Sequence, residues 1–125
     1  LRALLVEGIL REGLRLQNRK SSVLVERTSR FVRENLREPL ELEDLAVAVH
    51  MSKHHFARKF REESGKTPMQ FVTEIRLEVS RQLLLNTDLT LTAIAEEVGL
   101  RTASQFSHVF KRHLRTSPGS LRSNT

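Results

Sequence analysis

Cysteine is absent from this 125-residue chain, so neither a disulfide framework nor a thiolate metal site is open to it, and a reducing cytoplasm is its natural compartment. No apolar run approaches the length of a transmembrane helix, and no secretory signal opens the sequence. No segment reads as a β-strand. Acidic residues are missing locally: Arg101 to Thr125 holds Arg101, Lys111, Arg112, Arg115 and Arg122 but no Asp or Glu, so all 15 acidic residues precede it. A second acid-free run, Met51 to Arg61, carries Lys53, Arg58, Lys59 and Arg61. With a net charge of +6, these two clusters suggest an anionic partner such as nucleic acid, although a solvated helix face has the same composition. The length suits one compact domain, or two very small ones sharing a core. The chain opens on Leu1 rather than Met, which suggests a processed product or a piece of a longer protein.

The sequence then states one pattern twice. "LAVAVHM" at Leu45 aligns with "IAEEVGL" at Ile94, 49 positions on, and "FARKF" at Phe56 aligns with "FSHVF" at Phe106, 50 positions on. The second copy therefore has one extra residue in the turn between these segments. "GKTPMQF" at Gly65 matches "RTSPGSL" at Arg115, again 50 positions on. Such self-similarity marks a duplicated structural unit.

Each copy reads as helix, tight turn, helix. Leu42, Leu45, Ala46 and Val49, and likewise Leu91, Ile94, Ala95 and Val98, form apolar stripes at three- and four-residue spacing. His50 or Gly99 falls at the turn, where a left-handed backbone suits glycine. The second helix of each copy starts near Ser52 or Arg101 and buries Phe56 and Phe60, or Phe106 and Phe110. Thr67-Pro68 and Ser117-Pro118 pair an N-cap hydroxyl with a proline preformed for the first helical position. The first pair opens a long helix, Pro68 to about Leu85, with Phe71, Ile75, Val79 and Leu83 on one side. Asn86-Thr87-Asp88 ends it and Thr90 can cap the next helix. A further helix is expected from about Val23 to Leu36, with Leu24, Thr28, Phe31 and Asn35 or Leu36 on its stripe, stopped by Pro39. Leu1 to Arg19 is leucine-rich with no counterpart in the repeat: it is either a helix packed on the domain or the end of a regulatory or dimerisation domain, with Gln17 to Ser22 as linker.

The two copies, joined by "VTEIRLEVSRQLLLNT", resemble the DNA-binding domain of the AraC/XylS transcription regulators over roughly Ser22 to Arg122. The second copy carries that family's Ile-Ala, its turn glycine, Phe-x3-Phe-Lys and Ser-Pro-x3-Arg elements in order, and "RLEVSRQLL" at Arg76 resembles its linker helix. Three positions depart: His50 stands for a turn glycine, Leu100 for an aromatic, and Arg115 for the glycine closing the recognition helix. The resemblance implies an all-α fold of about seven helices plus an N-terminal helical segment, with two helix-turn-helix subdomains on a rigid linker helix. Residues 1–21 would end a preceding domain or form a linker helix. Residues 22–125 would be the DNA-binding domain, with helix-turn-helix motifs at about 42–63 and 91–115 and the linker helix at about 68–86. The implied partners are double-stranded DNA, RNA polymerase and, through a missing N-terminal domain, a second copy of the chain.

On that resemblance the second helix of each motif enters a major groove and outward side chains meet base edges. Arg58 matches guanine O6 and N7 with its fork; its competing role is a salt bridge to Glu62. His54 suits a base or a phosphate and is favoured over His55 by its register to Phe56 and Phe60. Ala57 suits a thymine methyl. Ser104, Ser107 and His108 are weaker readers. Lys53, Arg101, Thr102, Lys111 and Arg112 suit phosphates, which position without reading sequence. His50 and His54 make no convincing metal pair, and no cofactor is expected. Ser52 and Ser104 lie near histidines without triad geometry, so no enzyme is expected. The rival to DNA binding is a helical interaction module whose basic faces meet an acidic protein. Two copies head to tail need no palindromic site, and a linker helix of about 18 residues, about 27 Å long, falls short of the roughly 34 Å between successive major grooves. Bent DNA, or a second copy held mainly to backbone, is therefore expected.

Overall fold

A computed structural model describes residues 22–123. Its helices are α1 (Ser22–Glu34), α2 (Leu42–Ala48), α3 (Lys53–Ser64), α4 (Pro68–Asn86), α5 (Leu91–Glu97), α6 (Ala103–Leu114) and α7 (Pro118–Ser123), with no strand among the described residues. The expected leucine-rich segment Leu1 to Arg19 lies outside the described residues.

Hydroxyl caps place most of the helix starts. Thr67 Oγ1 accepts from Gln70 N at 3.2 Å while Gln70 Oε1 accepts from Thr67 N at 3.0 Å, a reciprocal box in front of Pro68. Thr90 Oγ1 accepts from Ala93 N, and Ser117 Oγ from Ser120 N, each at 3.1 Å. Ser52 and Thr102 serve α3 and α6 in the same way, so both helices begin one or two residues later than the sequence suggests. Each such cap stabilises by about 1 kcal/mol. The extra residue of the second copy also becomes visible. Met51 N and Leu100 N donate to the equivalent carbonyls of Ala46 and Ala95, and Arg101 is then inserted before the cap.

Burial follows the apolar stripes in the short helices. Phe56 and Phe60 are fully buried with centroids 5.6 Å apart, Phe60 meets Phe71 at 5.1 Å, and Phe106 and Phe110 repeat the pair at 5.6 Å. These contacts add to a large apolar burial. In α1 the stripe is rotated from the expected one: Val32 is fully buried and Phe31 only partly so, because Thr28, Val32 and Leu36 follow at four-residue steps. The Thr28 hydroxyl donates to Leu24 O at 2.8 Å, so its burial leaves no polar atom unpaired.

The long helix α4 departs most from its expected pattern. Val72, Leu77, Ser80 and Leu84 are buried alongside Pro68 and Ile75, whereas the expected Phe71, Val79 and Leu83 are only partly covered. At about 100° per residue, Pro68, Val72 and Ile75 share one side, and Leu77, Ser80 and Leu84 share a side turned by about 150°. The first side packs in the unit of α1, α2 and α3; the second packs against α5 and α7. A helix that serves two cores shows no single stripe.

Among the described residues, left-handed backbone occurs at four positions, crosswise between the copies: His50 (φ 59°) and Gly65 (φ 77°) in the first, Gly99 (φ 76°) and Arg115 (φ 58°) in the second. Arg115 closes α6 as Gly65 closes α3, donating its N–H to Lys111 O at 2.9 Å. Arg122 ties the end of α4: its Nε, Nη1 and Nη2 donate to the carbonyls of Leu84, Leu89 and Thr87 at 3.2, 2.5 and 3.1 Å.

Two melting experiments check these contacts. Arg115→Gly should stabilise folding by about 0.5–1 kcal/mol, the relief of left-handed strain minus the unfolded-state entropy of glycine. Arg122→Ala should destabilise by about 1–3 kcal/mol by freeing three carbonyls at once. Unchanged melting of either variant would contradict the corresponding assignment.

Candidate nucleic-acid interface

Burial of the phenylalanine pairs decides what α3 and α6 present to solvent. With Phe56 and Phe60 inward, the opposite face of α3 carries His54, Arg58 and Arg61 at four- and three-residue steps, with His55 and Glu62 flanking. All five are exposed. With Phe106 and Phe110 inward, α6 presents Ser104, His108 and Lys111, flanked by Gln105 and Arg112, and these are exposed too. Each α6 residue sits 50 positions after its α3 counterpart. The two copies thus offer two equivalent faces of different chemistry.

Most expected site residues lie on these faces or at their entrances. Lys53 opens α3 and is exposed; Ala57 and Ser107 are half-buried at the edge of each face. Arg101 is exposed in the longer turn. Thr102 is exposed, and although its Oγ1 accepts from Gln105 N at 3.0 Å, its hydroxyl hydrogen and second lone pair remain for an outward contact. Ser52 Oγ accepts in the same way from His55 N, at 3.4 Å.

Three residues of these faces were missed by the sequence reading. Arg61 was named only as part of a basic run, although it is the counterpart of Lys111, and the 50-residue offset marks it. His55 was set aside in favour of His54, yet both are exposed, and His55 Nδ1 stands 3.3 Å from Arg58 Nη2. The competing Arg58–Glu62 bridge is not among the ion pairs of the described residues. Gln105 is the counterpart of His55 and offers an amide that can both donate and accept. No group of three or more His, Cys, Asp or Glu side chains able to hold a metal occurs among the described residues. None of their helices is long and apolar enough to cross a membrane.

Two copies of helix, turn and outward second helix on a shared long helix define a protein with two helix-turn-helix motifs. Residues 45–124 match the family described as a helix-turn-helix domain. The chain belongs to the AraC-type helix-turn-helix family, which is not enzymatic. It is 38% identical over 81 residues to the RCS-specific HTH-type transcriptional activator RclR of Escherichia coli, covering 65% of this chain and 28% of that protein. It is 31% identical over 104 residues to the MmsAB operon regulatory protein of Pseudomonas aeruginosa, covering 83% and 34%. The chain thus spans about a third of the length of the curated relatives it matches. Among solved structures, the C-terminal domain of AraT, a response regulator from Geobacillus stearothermophilus, superposes with a TM-score of 0.78 at 31% identity, covering 85% of this chain and 88% of that one. The DNA-binding domain of AdpA, solved with a target DNA, gives 0.74 at 30% identity, covering 81% and 90%.

Proposed function

We propose that residues 22–125 are the sequence-specific DNA-binding domain of a cytoplasmic transcription regulator, with residues 1–21 the end of a preceding domain or a linker. The observation that carries this reading is the pair of exposed faces on α3 and α6, backed by equivalent phenylalanine pairs and placed 50 positions apart. The structural likeness to the AdpA domain, which was solved on DNA, supports it. We further propose RNA polymerase and, through a missing N-terminal domain, a second copy of the chain as partners.

Side-chain chemistry divides the labour. Arg58 reads guanine through its fork, His54 and His55 flank it, and Ala57 lies against a thymine methyl. On the second face Gln105 reads adenine N6 and N7, while Ser104, Ser107 and His108 add weaker discrimination. Lys53, Arg61, Arg101, Thr102, Lys111 and Arg112 hold phosphates. The 19-residue α4 is about 28 Å long, against about 34 Å between successive major grooves, so both helices seat only as the duplex bends toward the protein. The elastic cost of a moderate bend, a few kcal/mol, is offset by several phosphate contacts.

Arg58→Ala should cost about 1–3 kcal/mol on a selected duplex and relax preference at one or two base pairs. Lys111→Ala should weaken selected and unrelated duplex alike and flatten the salt slope by about one unit. Electrophoretic mobility shifts across salt concentrations read both effects. A flat salt response of the unaltered chain would instead favour a protein-binding module.

A further inference from the structure

The two units also touch beside the linker helix. Gly99, in the turn between α5 and α6, sits so close to the chain just past α1 that an added Cβ would stand 2.3 Å from Leu36 O. From α4, Arg76 reaches the same place: its Nη2 donates to Glu38 O at 2.8 Å, and its Nη2 and Nε lie 3.0 and 3.1 Å from that Cβ position. Outside this contact, Arg37 Nη1 and Glu97 Oε1 approach to 3.6 Å across the same seam.

Arg76 is costly to place there. Burial lowers its guanidinium pKa from the ordinary value, and its Nε is buried without a partner. A buried unpaired donor on a charged group destabilises, whereas an apolar side chain of similar reach would avoid that penalty. What only the planar fork supplies is a directional grip on a carbonyl of the first unit while its Nε and Nη2 lie beside the glycine of the second. A side chain at position 99 would push the seam open. We propose that the junction of Arg76, Glu38 O and Gly99 locks the two units in one relative orientation, making Arg76 the positioning residue that sets the base-pair spacing at which both recognition helices seat. The spacing claim rests on the two-groove reading; the lock itself does not.

The absence of native cysteine allows a direct test. Glu43→Cys on α2 and Glu96→Cys on α5 place spin labels at exposed positions outside the junction and both recognition faces. Pulsed dipolar spectroscopy should give one narrow distance distribution for the labelled parent, a broad one with Arg76→Met, and an intermediate one with Arg76→Lys. On a duplex selected by the parent from a random pool, one inserted base pair between half-sites should cost the parent about tenfold in affinity and Arg76→Met only about threefold. An unchanged narrow distribution in Arg76→Met overturns the lock. A parent indifferent to the inserted base pair overturns the two-groove reading instead. Unfolding of both Arg76 variants would also contradict the proposal, because the cores around Phe56–Phe60 and Phe106–Phe110 must each survive its loss.

Discussion

Everything in this molecule depends on α4 being buried on two sides. Pro68, Val72 and Ile75 belong to the first core; Leu77, Ser80 and Leu84 belong to the second. Neither unit has enough apolar surface to stand far from this helix, and a chain this short has little core to spare. The same residues that hold the cores together therefore anchor α3 and α6 to one helix. Ser80 can lie fully buried among them because its hydroxyl donates to Leu77 O at 2.7 Å.

Duplication explains the equivalence of the two units, and departures from it show where each has specialised. The left-handed positions are filled crosswise, and the two glycines among them stand in different surroundings. Gly99 meets the first unit within 4 Å, whereas Gly65 meets nothing within that distance. Arginines have likewise been assigned different work. Arg58 and Arg61 face solvent, while Arg76 and Arg122 are held against backbone carbonyls at Glu38 and Thr87, positions 49 apart and equivalent in the repeat. A basic composition thus conceals two populations, one of which is structural.

The sequence revealed the local parts of this arrangement most clearly. Hydroxyl caps, the prolines that follow two of them, the phenylalanine pairs and the extra residue of the second turn are all signals confined to a few neighbouring positions. The bounds of α4 were legible for that reason, but its packing was not, because two half-stripes turned by about 150° blur into no stripe at all. Val32 was missed since Phe31 offered the larger apolar side chain one position earlier. Arg61 and Gln105 were readable from the 50-residue offset, once the faces were compared position by position. Arg76 and Arg122 were not, since their partners are carbonyls 38, 33, 35 and 38 residues away and no residue-type pattern records a carbonyl.

The central claim is that one chain reads two successive major grooves. Dimethyl sulfate protection of guanine N7 on a selected duplex, combined with the mass of the complex, measures groove occupancy and stoichiometry together. One chain per duplex with two protected patches about 10 base pairs apart is the expected result. A single protected patch per chain, or a second chain required to produce the other, would contradict the account.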